Sequence, residues 1–258
     1  MSNFILIRSY RQEDEPFCKK LFKAGIIDSL NATFTAFLTR KGAINAINVS
    51  IVMFTLALIV VGFPIVYCIM FIFIPPIIFY IFLYATFLYE ARNVENESSA
   101  ITWIYTSDNS SCFWIAEAYE DYSLNHQQNQ RYIFMTEEKF NESNINVSRH
   151  VKKVVGTIAF YSCSRSPNSG WIKRLCVHKD YRRKGIGSHL VNRVLQFGEE
   201  QGFEYINVII SEYRIGAILL FIKKGFNMHD IHSKSPFMLI AFYEYLINII
   251  VYNKNNEQ

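Results

Sequence analysis

Between Lys41 and Glu90 the chain carries no charged residue, and the run from Val49 to Tyr89 is apolar almost throughout. A helix crosses a bilayer with about 20 consecutive apolar residues, so this run is long enough for two crossings. A buried helical hairpin in a water-soluble domain is the competing reading, and both the length and the lack of charge argue against it. The length also exceeds the apolar core of a signal peptide, and folded-looking sequence precedes the run. The expected crossings are 42–62 and 66–89, with Gly62-Phe63-Pro64 as the turn between them. Pro75-Pro76 would kink the second segment or supply the turn of a shallower re-entrant hairpin. Lys19, Lys20, Lys23, Arg40 and Lys41 precede the run and Arg92 follows it, which places the N-terminal flank in the cytosol.

The rest of the chain has ordinary composition. Of 258 residues, 51% are hydrophobic, but they concentrate in that one run, which predicts a globular domain with a membrane insertion. The net charge of +4 is small and its cations are mostly scattered, which argues against nucleic acid as a partner. Cys18, Cys68, Cys112, Cys163 and Cys176 are odd in number and form no CxxC pair, so they read as reduced thiols facing the cytosol, with no metal site.

Phe4 to Arg8 reads as a strand, and Glu13-Asp14-Glu15-Pro16 suits the first turn of a helix carrying Phe17, Leu21 and Phe22. Cys112 to Ala118 and Val154 to Tyr161 read as two more strands. The stretch 119–153 between them is polar and rich in Asn and Gln, and is expected to be an excursion, mobile or partly ordered, outside the chemistry. Trp171 to Val177 is strand-like. Gly187 to Gln201 follows as an amphipathic helix stopped by Gly202, then a strand Tyr205 to Ile210. A second helix with Ile215, Ile218, Leu219 and Ile222 on one face ends at Gly225. Phe237 to Tyr243 is expected to close the sheet, and the apolar tail Tyr245 to Tyr252 to lie on the membrane as a helix.

Arg182-Arg183-Lys184-Gly185-Ile186-Gly187 stands directly after a strand and opens a helix. Backbone N–H groups converge there at a positive helix terminus, and the glycines admit a bulky phosphate, so the segment reads as a diphosphate cradle. A basic strand-helix turn with no ligand is the plainer alternative.

In this context the segment resembles the acetyl-CoA-binding core of the GCN5-related N-acetyltransferases (GNAT), where Q/R-x-x-G-x-G/A joins a strand to a helix. Arg182, Gly185 and Gly187 fill those places. Leu220-Phe221-Ile222-Lys223-Lys224-Gly225-Phe226 is similar to the family's L-Y-x-x-x-G-F. Ser111 to Glu117 and Val194-Leu195-Gln196-Phe197 resemble the camello-type members, which include aspartate and cysteine-conjugate N-acetyltransferases and carry a long apolar insertion in the same place.

The resemblance implies an α/β fold, a mixed and mostly antiparallel central sheet flanked by helices, with an inserted transmembrane helical hairpin. Residues 1–41 would give its first strand and helix, 42–90 the hairpin and 91–258 the remainder, with the acetyl-CoA core at 154–227. It implies that strand 171–177 splays from its neighbour, so that Leu175, Cys176 and Val177 meet the pantetheine. The backbone of Arg182, Arg183, Lys184, Gly185, Ile186, Gly187 and Ser188 would take the diphosphate of acetyl-CoA, the co-substrate. The family's usual tyrosine, a proton donor to the leaving thiolate, falls at Phe221, so another donor or water must serve, or activity is slow or lost. Cys176 reads as a core thiol before an acyl carrier.

A base is needed for the ammonium form of the acceptor. Glu117 and Glu212 are the candidates, with Glu117 preferred and a solvated strand-edge carboxylate as the alternative. Arg174 stands where the aspartate-acetylating relatives also have Arg and could pair with a substrate carboxylate, or lie on the strand surface. His178 reads as a loop residue.

The implied function is transfer of acetyl to the amine of a small amino acid or cysteine conjugate at a lipid bilayer. The alternatives are a lysine acetyltransferase for membrane proteins and a non-catalytic acetyl-CoA-binding adaptor. Strands on both sides of the apolar run belong to one sheet, so the chain must leave and re-enter on one side. Acetyl-CoA is cytosolic, which places the domain on the cytosolic face, of the endoplasmic reticulum.

Overall fold

The computed structural model describes residues 3–39, 41–62, 64, 74–98, 111–121, 132–143, 145–162, 168–233, 241–250 and 252. The chain divides into two compact units, Met1–Gly25 with Val94–Gln258, and Ile26–Asn93.

The first unit is built on an eight-stranded sheet of β1 (Phe4–Ser9), β2 (Cys112–Asp121), β3 (Ile133–Thr136), β4 (His150–Ser162), β5 (Ser169–Val177), β6 (Tyr205–Ser211), β7 (Asn227–Ser233) and β8 (Ala241–Asn248). Its order is β3-β1-β2-β4-β5-β6-β8-β7. All neighbours are antiparallel except β1 with β3 and β5 with β6. The mixed, mostly antiparallel sheet is therefore as expected.

Side chains alternate between two faces, as the pleat requires. Ile5, Ile7, Trp114, Ala116, Ile158 and Phe160 join one large core with α6 (Ile186–Glu200), whose Leu190, Val191, Val194 and Phe197 are all buried. On the other face α1 (Glu15–Ile27) packs Phe22 edge-on against Phe113 at 6.4 Å. Parallel β5 and β6 need a crossover, which α6 supplies.

Two expectations are corrected here. The stretch 119–153 is largely built, although 122–131 and 144 lie outside the described residues. Its polar sequence hides an extended β2, a four-residue β3 and α5 (Glu137–Glu142), and Phe140, Ile145 and Val147 cover Phe4, Leu6 and Tyr119. The tail Tyr245 to Tyr252 is not a surface helix: Tyr245 to Asn248 belong to β8 between β6 and β7, and Tyr245, Ile247 and Ile249 are buried. Of the expected closing strand Phe237 to Tyr243, residues 241–243 belong to β8, and 234–240 lie outside the described residues. Pro75 and Pro76 belong to α4 (Ile74–Ser98), and the stretch 65–73, on which their expected kink or turn depends, lies outside the described residues.

The second unit holds α2 (Leu30–Leu38), α3 (Lys41–Val60) and most of α4. Tyr80 donates to Asn31 Oδ1 at 3.2 Å, and Phe34 meets the ring of Tyr80 at 4.9 Å. Gly62, with φ of 87°, follows the end of α3 as a left-handed residue. Phe63 and residues 65–73 lie outside the described residues. By length and composition Ile74–Val94 is apolar enough to cross a membrane, and Ile47–Val60 is apolar but shorter.

Candidate active site

The parallel pair β5–β6 runs in register from Ser169↔Tyr205 to Ile172↔Val208 and no further. Beyond Ile172, β5 continues against β4, and β6 against β8 as far as Ser211↔Phe242. The strands thus part at their carboxyl ends.

The cause lies one residue later, in a bulge. Thr157 faces Cys176 while Ala159 faces Lys173, so Arg174 and Leu175 together oppose one residue of β4. Arg174 adopts a left-handed φ of 55°, uncommon for a side chain with a Cβ. The hydroxyl of Thr157, fully buried, donates to the carbonyl of Arg174 at 2.9 Å and braces the bulge. A strand bent in this way cannot keep a straight ladder with β6.

Leu175, Cys176 and Val177, all half-buried, follow the bulge. Cys176 Sγ meets the carbonyl of Leu21 at 3.4 Å, and a Cβ on Gly25 would stand 2.6 Å from that sulfur, so glycine permits α1 its close approach. The Arg174 guanidinium lies 5.6 Å above the Phe22 ring, on the same α1 side.

After Val177 a short 3-10 turn, Lys179–Tyr181, leads into the glycine segment. His178 caps that turn, its Nδ1 accepting from the Asp180 N–H at 3.4 Å. Arg183 has φ of 64° and Gly185 of 89°, and α6 starts at Ile186. Two left-handed residues thus precede the positive end of a helix, whose first N–H groups have no intrahelical partner. Arg182 Nε donates to the carbonyl of Val177 at 3.1 Å, tying turn to strand. Gly187 lets α6 come close to α7 (Ile215–Lys223): its missing Cβ would be 3.1 Å from Leu220. Among the described residues no group of three or more His, Cys, Asp or Glu comes together as a metal site would require.

A half-open parallel pair, its bulge and a left-handed glycine turn that opens a helix follow one another along β5 and into α6. Residues 84–226, more than half of the chain, match the acetyltransferase (GNAT) family. The chain belongs to that family.

Among similar proteins, N-acetyltransferase 8B of Rattus norvegicus is 26% identical over 141 residues, 54% of this chain and 49% of that protein. N-acetyltransferase 8 of Homo sapiens is 27% identical over 130 residues, 50% and 44% of the two chains. The chain therefore spans about half the length of the curated relatives it matches. The crystal structure of a GNAT-family acetyltransferase from Staphylococcus aureus Mu50 shares the fold, with a TM-score of 0.51 at 14% identity over 95% of this chain and 99% of that one.

Within this GNAT chain two expected site residues look different once placed. Glu117 is not a solvated strand-edge carboxylate. It is buried, accepts from Arg8 Nε at 3.1 Å and from the Tyr119 hydroxyl at 3.0 Å, and shares Arg8 with Asp14, which takes the other guanidinium nitrogens at 2.7 and 2.8 Å. Burial works against the Arg8 charge, but the two carboxylates more than offset it and the arginine pKa rises. Burial, then Glu117, push the Tyr119 phenol upward as well. This is a buried ion cluster that pins β1, β2 and the start of α1.

Phe221, expected at the family's tyrosine position, is 1% exposed and edge-on to Phe226 at 5.0 Å. It has no proton to give. Glu212 is engaged structurally, its carboxylate accepting from the Ala241 N–H at 3.0 Å where β8 begins.

Two residues near the glycine turn escaped the sequence reading. Phe134 stacks on His189 with centroids 3.7 Å apart, and Tyr132 lies 5.1 Å from Lys184 Nζ. Both come from the polar excursion, and nothing in its composition distinguished them.

Proposed function

We propose that this chain is a membrane-anchored, acetyl-CoA-dependent N-acetyltransferase acting on the amine of a small amino acid or cysteine conjugate. The observation that carries the acetyl-CoA reading is the end of β5–β6 pairing at Ile172↔Val208 beside the left-handed turn at Arg183 and Gly185. Opened strand ends offer backbone groups of Leu175, Cys176 and Val177 to an extended chain with amides, such as pantetheine. The N–H groups of Arg183, Lys184, Gly185, Ile186, Gly187 and Ser188 suit the diphosphate that follows along that chain. Arg182 contributes by fixing the turn, since its Nε is spent on Val177.

The chemistry is attack of a neutral amine on the thioester carbonyl, expelling the coenzyme A thiolate. Positioning and backbone donors aimed at the carbonyl oxygen supply the rate. With Glu117 committed to Arg8 and Phe221 without a hydroxyl, protons leave the ammonium and reach the thiolate through water. Arg174, swung to the α1 side by the bulge, is the group for an acceptor carboxylate.

The membrane part rests on α4. Its stretch Ile74–Val94 has mean hydropathy 1.5, and Ile77, Ile78, Ile81 and Phe82 are all more than half exposed. Such a surface is costly in water and at home in lipid. The basic flank and the thiols Cys18, Cys112 and Cys176, none of them in a disulfide, favour a cytosolic orientation, at the endoplasmic reticulum. The chain should stay with the membrane pellet through alkaline carbonate extraction, and release into the supernatant would refute the anchor.

Phe221 favours one rival, a non-catalytic adaptor that binds acetyl-CoA without using it. Purified protein with labelled acetyl-CoA and a panel of aspartate, S-benzylcysteine and peptide lysines separates the readings. The proposal expects acetylated aspartate or S-benzylcysteine; binding without turnover on any amine supports the adaptor, and turnover on lysines alone a protein acetyltransferase.

A further inference from the structure

The polar stretch between β2 and β4 reaches the glycine turn at two points. Phe134 of β3 stacks on His189 in the first turn of α6, planes 14° apart, and its ring stands 3.6 Å from where a Cβ on Gly185 would be. Tyr132, just ahead of β3, donates its hydroxyl to Glu120 Oε1 at 2.6 Å. The same oxygen accepts from the Tyr181 hydroxyl at 2.9 Å, and Tyr181 closes the 3-10 turn that runs into Arg182.

One carboxylate oxygen thus fixes two phenol rings, 6.2 Å apart, and the two rings share one ammonium. Lys184 Nζ lies 5.1 Å from the Tyr132 ring and 5.0 Å from the Tyr181 ring. Burial first, and then Glu120, raise the pKa of both phenols, so both keep the proton that holds the bridge.

A lysine on an open turn samples many rotamers, and freezing it against a ligand costs affinity. Here the aromatic rings restrict it beforehand, through ring-face attraction that leaves the ammonium's N–H donors available to an anion. Lys184 also sits inside the glycine turn itself.

We infer that Tyr132, Phe134 and Glu120 form a wall of the site for the phosphate end of coenzyme A, with Glu120 acting as a positioning residue. Glu120 sets the rings of Tyr132 and Tyr181, the rings set Lys184, and Lys184 meets a phosphate oxygen. The inference rests on the acetyl-CoA reading above. It moves the excursion from ornament to binding site.

The test is isothermal titration of the full chain in detergent with acetyl-CoA, for Tyr132→Ala, Lys184→Ala and the double variant. Each single change should weaken binding about fivefold, the loss of one cation–π-held contact. The double variant should be within about twofold of either single one, because both remove the same contact and such effects do not add. Tyr132→Phe keeps the ring and loses its anchor, and should fall between wild type and Tyr132→Ala. In turnover, KM for acetyl-CoA rises while kcat at saturation holds.

A Tyr132→Ala chain that binds like wild type overturns the inference, as does a double variant whose loss is the product of the two single losses. Should Tyr132→Ala fail to fold, Tyr132→Phe and Glu120→Gln carry the same test, and unchanged affinity in both overturns it. A wild-type chain that takes no acetyl-CoA overturns the underlying reading itself, whereas binding by wild type beside an indifferent Tyr132→Ala overturns this inference alone.

Discussion

Replacing Glu117 by glutamine separates a structural carboxylate from a catalytic one. Arg8, Asp14 and Glu117 form a buried cluster of one cation and two anions, with side chains 7%, 7% and 12% exposed. Glutamine keeps an oxygen for Arg8 Nε and the Tyr119 hydroxyl, so both hydrogen bonds survive but lose their charge assistance. That difference is about 1 kcal/mol per bond. Removing the surplus negative charge returns part of it, leaving an expected loss of ~1–2 kcal/mol and a fall in Tm of about 2–8 °C for a domain of this size. Arg8→Met leaves two buried carboxylates with no cation and should cost ~3–5 kcal/mol. Thermal unfolding followed by circular dichroism gives the stability, and steady-state acetylation of the best amine gives the rate. With Glu117→Gln, kcat should stay within about threefold of wild type, whereas loss of a general base costs roughly 10²–10⁴. A hundredfold fall in kcat at unchanged Tm would refute the structural assignment.

Gly185→Glu should abolish acetyl-CoA binding in titration while the chain stays folded, because it places an anion and a Cβ at φ of 89° in the glycine turn; Gly185→Ala, which meets only ordinary contact with Phe134, should destabilise by ~1–2 kcal/mol from backbone strain alone. Burial, and secondarily Lys224, lower the His189 pKa from its ordinary 6.5. The unfolded chain then takes that proton first as pH falls, so the His189 contribution is complete above 6.5 and is lost as pH falls through the folded value. Denaturant unfolding from pH 8 to 5 should show wild type losing stability relative to His189→Phe, and parallel curves would refute it. Burial pushes the Cys18 thiol up from 9.0 to about 12, so at pH 8 its thiolate is about a thousandfold scarcer than in the unfolded chain. Native Cys18 should resist iodoacetamide and react once unfolded, as read by peptide mass.

What could be read from the chain was whatever rests on local pattern. The short apolar run Phe4 to Ile7 marks β1, the apolar stripe of Leu190, Val191 and Val194 marks α6, and Gly185 with its basic neighbours marks the turn, because each signal fits in a few consecutive residues. β7 was invisible for the opposite reason. It lies at the sheet edge, and its Met228 and Ile231 are more than half exposed, so no buried face imposes alternation. The second half of β8, from Tyr245, reads as a helix because it sits between β6 and β7, and a run such as Tyr245 to Tyr252 lacks a polar face in either period. Glu117 could not be assigned because its partner Arg8 stands 109 positions away. A carboxylate on a strand has the same sequence signature whether it is solvated, paired or basic. The bridge from Tyr132 through Glu120 to Tyr181 was hidden in the same way.

Those long-range pairs have one geometric consequence. The glycine turn and the parted strands are joined by only the short segment from His178 to Gly185, so on the proposed reading a coenzyme whose pantetheine lies along Leu175 to Val177 would bring its phosphates to the N-terminus of α6. The segment has no sheet partner of its own. It is held instead by Arg182 on Val177, by His178 N–H on the carbonyl of Val155, and by Tyr181 on Glu120, which bring β5, β4 and β2 to bear on one turn. Loosening any of these three should therefore raise KM for acetyl-CoA before it lowers kcat, since the proposed site gives the turn the phosphate end of the coenzyme and leaves the reacting end to the strand.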